Sequence, residues 1–423
     1  SMPMSVDFEC RLYPIIDAVA DQFGTPFHIY DEVGIRATGQ RLKSAFESLE
    51  DFREYFAVKA LPNPRVMGIM REMGFGFDCS STAELALSRQ VGAVPDEIMF
   101  TSNNTTRAEF EAAAADGGSI LNLDDISLVA KVPRMPALIC FRYNPGPRRQ
   151  GNAIIGNPLE SKYGVAHGQI VDAFKLARAR GAERFGLHTM VVSNERDYQY
   201  MVETTRMLLE LAEQIHIALG VEFEFINIGG GLGINYHPEE APLDLEALGA
   251  TVTVLFNTFG ARLGWAPKLF MESGRYMTGP HGALVARAIN RKEIYRTYVG
   301  LDANMSALMR PGMYGAYHHI TVPGRQAANE RETVDVVGAL CENNDKFAIQ
   351  RELPRIYDDD LVCIHDTGAH GHSMGFNYNG RLRPQELLLR SDGSVELIRR
   401  AETLDDHFAT LDFTEKRMKP TGK

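Results

Sequence analysis

Cysteine is scarce and tryptophan nearly absent: five Cys and one Trp occur in 423 residues. Cys10, Cys79, Cys140, Cys341 and Cys363 are odd in number, scattered, and form no C-x-x-C pair. That pattern argues against a disulfide framework and against a structural zinc site, so no metal is expected. Also missing is any run of about 18 apolar residues, the length a membrane-spanning helix needs. Positive charge is not in excess either. Lys and Arg number 44 against 55 Asp and Glu, a formal net charge of -11. General nucleic-acid binders present a basic field to phosphates. Neither a nucleic acid nor a membrane is therefore expected as a partner. The first residues lack the basic-then-apolar pattern of a secretory signal, and a cytoplasmic location is the expectation.

What is present suits a large globular enzyme. Hydrophobic residues make up 44% and charged residues 23%, enough apolar material for a sizeable core. The length allows two domains. From about 25 to 290, short β-rich runs alternate with amphipathic stretches. The strand candidates are 27–30, 54–60, 76–80, 98–102, 119–123, 137–144, 185–192, 223–230 and 267–273. Helix candidates include 64–73, 82–91, 196–219 and 244–263. So many βα units with short connections predict an α/β fold with a (β/α)8 TIM-like barrel, although periodicity alone also permits a doubly wound sheet. After 290 helical periodicity fades, and β-type runs at 296–303, 333–341, 360–368 and 394–401 are separated by Gly, Pro and Asn turns. A second, mostly β domain is expected there.

Three stretches carry chemistry. In "YFAVKALPNP" (55–64) a lone lysine, Lys59, interrupts an apolar run that reads as a buried strand. An unpaired buried ammonium is costly and its pKa falls, so Lys59 is either ion-paired or needed as a free amine. "INIGGGLGINY" (226–236) places Gly229, Gly230 and Gly231 directly after a strand. Stacked glycines let backbone N–H groups approach an anion, though tight turns use glycine for their own reasons. In "FMESGRYMTGP" (270–280), Glu272 and Arg275 end an apolar strand. Glu272 reads as a surface acid or as an acceptor for a protonated ring nitrogen.

Taken together, these segments resemble a known family. "YFAVKA", "FGFDCSSTAEL" (75–85), "NPLESKYG" (157–164), "INIGGGLGINY", "ESGR" (272–275), "RPGMYGAYHHI" (310–320), "CENND" (341–345) and "NYNGRLRP" (377–384) occur in the order seen in fold type III, alanine racemase-like decarboxylases that use pyridoxal 5'-phosphate. Diaminopimelate decarboxylases are the most similar members. The resemblance spans about residues 25 to 390. It implies an N-terminal segment (1–33) that joins the β domain, a cofactor-binding barrel (34–290), a C-terminal β-sandwich or barrel-like domain (291–423), and a homodimer with shared active sites. It makes Lys59 the lysine that holds the cofactor as a Schiff base, and Glu272 the acid on its pyridine nitrogen. Gly229, Gly230, Gly231, Gly274, Ser193 and Tyr378 match the phosphate cradle. Cys341 matches a cysteine contributed by the opposite subunit as proton donor. Arg275, Arg310 and Tyr314 match residues holding a distal carboxylate, and Glu342 matches the partner of a distal amino group. The implied reaction is decarboxylation of meso-diaminopimelate to L-lysine.

One departure stands out. Relatives stack a histidine on the cofactor ring, whereas this chain reads "GLHTMVVS" (186–193) and places Met190 there. Strand alternation would put His188 and Met190 on one face. A thioether packs against a ring but neither titrates nor hydrogen-bonds well. Another diamino acid, such as D-ornithine, D-lysine or a biosynthetic intermediate, is therefore an open alternative. A non-catalytic partner protein and a racemase are further readings. Intact Lys59 and Cys341 speak against the first of these, and the "CENND" context against the second.

Overall fold

The computed structural model describes residues 4–148 and 157–422. The first strand, β1 (Phe27–Asp31), belongs to a second sheet considered below. The barrel is built from β2 (Arg53–Ala57), β3 (Gly76–Cys79), β4 (Ile98–Ser102), β5 (Ile120–Leu123) and β6 (Leu138–Asn144). After a short β7 (Val165–Ala166) beside β6, it continues with β8 (Arg184–His188), β9 (Phe225–Asn227) and β10 (Lys268–Met271). Every neighbouring pair is parallel, β2 pairs with both β3 and β10, and β5 pairs with β6. The ring is thereby closed, an eight-stranded TIM-like barrel, and the doubly wound alternative is excluded.

Alternation along the strands divides the interior into two layers. Tyr55, Met99, Ile120, Cys140, Phe225 and Phe270 form an apolar floor. Gly186 belongs to this level because a Cβ there would lie 2.1 Å from the Phe225 ring. Two residues further along each strand the character changes to Asp78, Thr101, Asn122, Arg142, His188, Asn227 and Glu272. This polar tier stands at the carboxyl ends of the strands, the face on which such barrels place their sites. Residues of opposite phase, such as Phe56, Phe100, Phe141, Leu187 and Met271, pack outward in the large core beneath the helices. Those helices begin at side-chain caps, including Asn63, Ser81, Thr106 and Asp197, whose oxygens accept the first free amides.

The second sheet adds β11 (Gly282–Glu293), β12 (Thr297–Leu301), β13 (Ile320–Thr321), β14 (Arg331–Val337), β15 (Lys346–Pro354), β16 (Leu361–His365), β17 (Gln385–Leu389) and β18 (Val395–Arg399). Their order is β15-β14-β12-β11-β1-β17-β18, with β16 on β11 and β13. β1 lies antiparallel to β11 and parallel to β17. Helices Val6–Leu12 and Ile16–Phe23 close one side of this sheet, where Phe8, Leu12 and Ile16 share a core with Phe27, Val285, Cys363 and Leu387. No helix among the described residues is long and apolar enough to cross a membrane.

Candidate active site

Lys59 does not lie in a strand. β2 ends at Ala57, whose N–H donates to Ser273 O, and Val58–Ala60 form a 3-10 turn. Pro62 and Pro64 in "LPNP" end any continuation of the ladder, and Pro64 opens the next helix at its first position. Lys59 is consequently exposed, not buried as the apolar run suggested. It stands over the polar tier, and its charge acts on Asp78, Glu84, Glu272 and His370. Among the described residues its amine has no hydrogen bond or ion pair.

Glu272 is buried below it. His188 Nε2 and Glu272 Oε1 are 2.6 Å apart, while Glu272 Oε2 and His188 Nδ1 are buried without hydrogen-bond partners. Burial pushes the Glu272 carboxyl up to about 7, with the Arg142 guanidinium opposing. Burial, aided by Arg142, pushes His188 down to about 3. Asp78 is held well above the carboxylate range by burial and by the negative charge of Glu272. The tier therefore holds an imidazole pushed toward its neutral form and two carboxyls pushed toward their protonated forms, with Asp78 and Asn227 beside Glu272.

β8 ends at His188, so alternation does not carry on to Met190. Met190 sits in the following loop, where its carbonyl accepts from Arg142 Nη2 at 2.9 Å. Arg142 also lies 4.5 Å from the centre of the Tyr163 ring, from "NPLESKYG". That loop is tied down by Asn144 Nδ2, which donates to Pro158 O and Tyr163 O.

The glycine run is dictated by close backbone approach. A Cβ on Gly229, Gly230 or Gly231 would come within 2.4 Å of Thr189 O, 2.3 Å of Glu272 O or 2.5 Å of Val192 O respectively. Gly229 and Gly231 also have φ of +74° and +93°, a region that L side chains avoid. The N–H groups of Gly230 and Gly231 have no acceptor among the described residues. Across from them, Gly274 packs on Ala57 and Ala60, leaving under 3.0 Å to Ala60 for any Cβ. Ser193 lies beside this loop and receives a 3.5 Å hydrogen bond from Arg275 Nη2.

Arg275 and Arg310 converge on one aromatic ring. Arg275 Nη1 donates to Tyr236 OH, and the Arg310 guanidinium lies 4.4 Å from the ring centre. Both arginines are buried, at 9% and 6% exposure. Neither forms an ion pair with a described residue. Instead Arg310 Nη1 donates to His318 Nε2 at 2.7 Å. That tautomer is set by His318 Nδ1–H, which donates to His365 O at 2.8 Å. Tyr314 lies near Arg310 but is 62% exposed, and Glu342 is exposed and accepts from Asn344 N. Cys341 and Tyr378 are exposed too, in neighbouring loops joined by Cys341 N–H to Asn379 Oδ1, 2.6 Å.

Several residues of the site went unnoticed in the sequence. Asp78 and Arg142 were legible as charges inside apolar strands. Tyr236 and His318 had no such signal, and the histidines of "GAHGHSMGFNYN" (368–379), His370 and His372, read either as a sign of divergence or as polar loop residues. His370, at φ +56°, donates its N–H to Ala60 O of the Lys59 turn, and burial and the charges of Arg275, Lys59 and Arg310 hold its imidazole neutral.

The pyridoxal-dependent decarboxylase model for the pyridoxal-binding domain matches residues 35–279. This chain belongs to the pyridoxal-dependent decarboxylases. The decarboxylase is 47% identical to protein TabA of Pseudomonas amygdali pv. tabaci over 96% of each chain. It is 38% identical to a diaminopimelate decarboxylase of Methanothermobacter thermautotrophicus over 92% of each. The solved structure of diaminopimelate decarboxylase from M. jannaschii in co-complex with L-lysine superposes with a TM-score of 0.87 at 29% identity, covering 94% of each chain. The decarboxylase is thus a pyridoxal phosphate-dependent carboxy-lyase acting on an amino acid. The residues fit that cofactor. Among the described residues, an amine without an ion pair, Lys59, acts on Glu272, and the loop with two unbonded glycine amides packs against the Glu272 backbone.

Proposed function

We propose that the substrate is a diamino acid with a carboxylate at each end, meso-diaminopimelate first, with L-lysine and carbon dioxide as products. The observation that carries this reading is the pair Arg275 and Arg310, buried around Tyr236 with no carboxylate of their own. Two buried guanidiniums without an ion-paired carboxylate are a natural receptor for a planar anion. Relatives named diaminopimelate decarboxylase support it.

Within that reading Lys59 holds the cofactor covalently. Glu272 would hold the cofactor's ring nitrogen, and a protonated ring beside it would favour the ionised carboxyl. His188 keeps Glu272 turned upward. Gly229, Gly230, Gly231, Gly274, Ser193 and Tyr378 hold the phosphate. When bound, the cofactor supplies the electron sink for the bonding pair that carbon dioxide leaves behind. Arg275, Arg310 and Tyr314 hold the far carboxylate, and Glu342 the far ammonium. Cys341 delivers the proton to the α-carbon. The exposure of Cys341, Glu342, Tyr314 and Tyr378 supports a homodimer in which a second copy completes each mouth.

A second reading is favoured by Met190 and by TabA at 47% identity, a relative carrying a different name. It assigns another diamino acid of a biosynthetic pathway. Carbon dioxide release, measured over meso-diaminopimelate and the L and D forms of lysine, ornithine and arginine, separates the two. Turnover of diaminopimelate above all others supports the first. Its absence beside good turnover of another compound replaces the first reading with the second.

A further inference from the structure

We infer that Glu386, on β17 of the second sheet, is a positioning residue for Lys59. This rests on the reading of Lys59 as the covalent holder of the cofactor. The turn bearing Lys59 joins β2 to helix Pro64–Glu72; Ala60 and Leu61 are packed into the large core, but the polar groups of residues 60–63 are bonded largely from elsewhere. The second domain supplies those bonds. His370 N–H and Ser373 Oγ donate to Ala60 O at 3.0 and 3.3 Å. Arg399 Nη2 donates to Pro62 O at 3.1 Å. Asn63 Nδ2 donates to Ile398 O at 3.2 Å and to Glu386 Oε1 at 3.3 Å, while its Oδ1 caps the helix on Arg65 N.

Glu386 is the hub of this clamp. It is 1% exposed. Its Oε1 also accepts from Arg399 Nε at 2.5 Å, and its Oε2 accepts from Tyr30 OH on the adjacent β1. His372 Nδ1 stands 3.8 Å away. A carboxylate so deeply buried is retained at an energetic disadvantage unless its partners are all in place. Here two of those partners, Asn63 and Arg399, are the side chains that grip residues 62 and 63. One buried charge thus ties the reactive turn of the barrel to the sheet of the other domain.

Simple domain cement would give the same contacts, so the test reads the chemistry of Lys59. Glu386→Gln removes the charge in nearly the same shape. Asn63→Ser keeps a helix cap and removes the arm to Glu386. Pyridoxal phosphate is added to each full-length protein, trapped with borohydride over time, and mapped by peptide mass. The labelling rate at Lys59 is compared with that at the exposed Lys416. Both variants should label Lys59 about tenfold or more slowly, as expected for a reacting group displaced by around 1 Å, with Lys416 unchanged. Wild-type rates in folded variants overturn the inference. Should Glu386→Gln fail to fold, Asn63→Ser decides alone, by the same two outcomes. Wild-type protein that never labels Lys59 overturns the functional reading itself, which is a separate result.

Discussion

His188 Nε2 lies 2.6 Å from Glu272 Oε1, and the other oxygen of Glu272 is buried beside Asp78 and Asn227 without a well-formed hydrogen bond. The imidazole fixes the carboxyl and leaves one lone pair for an incoming N–H. Glu272→Gln keeps the shape and offers an amide in place of the anion. Turnover should fall by about 100-fold or more, the scale of a lost preorganised charge. Folding should persist, since a buried ionisable group is removed. Steady-state kinetics beside thermal unfolding checks both.

The arginine pair predicts a split between substrates. Replacing Arg275 or Arg310 by Met should raise KM for a substrate with a distal carboxylate by roughly 10- to 100-fold, the range for losing a hydrogen bond to a charged group. A monocarboxylic analogue should lose far less. Equal losses on both compounds would place the arginines elsewhere than at the distal end.

Gly230 faces Glu272 O at a distance no Cβ tolerates. Gly230→Ala must push the β9 loop away from β10 and from the mouth. A stability loss of about 1–3 kcal/mol is expected for such overpacking. Weaker retention of pyridoxal phosphate on dialysis should accompany it. Retention equal to wild type would remove this loop from the cradle.

Two buried carboxyls should each make stability fall as pH rises, against buried histidines such as His188, whose lowered pKa makes it rise below about pH 6.5. Burial raises Asp366 to about 8, with Met4 N–H and the Arg310 charge opposing, and raises Glu272 to about 7. In the unfolded chain both ionise near pH 4. Between about pH 4 and pH 8 these two carboxyls therefore keep protons in the folded protein that the unfolded chain has released, and their contribution to stability drops through that window. Asp366→Asn should flatten this slope in cofactor-free protein, and asparagine suits the native φ of +61°. Denaturant titrations at pH 5, 6, 7 and 8 measure it.

The barrel was legible because its signal is local. Strands such as Ile98–Ser102, a short apolar run between the capped helices Thr82–Gln90 and Arg107–Ala115, show it. β11, β15 and β17 escaped notice. β17 is buried along nearly its whole length and shows no alternation, β11 runs from buried into exposed positions, and β15 is buried toward both ends with an exposed middle. At the site, Lys59, Glu272 and the glycines were readable from unusual residues in apolar surroundings. Exposure of Lys59 was not, because the strand ends two residues before it, at a turn set by prolines further on. Tyr236 and His318 were invisible for another reason. Their importance lies in what they hold, two arginines from distant parts of the chain, and no local pattern encodes that meeting.

Everything turns on which amine captures the cofactor. Protein incubated with pyridoxal phosphate, reduced with borohydride and digested should yield one dominant phosphopyridoxyl peptide, labelled at Lys59, and the Lys59→Ala variant should yield none. A dominant label on any other lysine, or equal labelling of Lys59→Ala, would contradict the account.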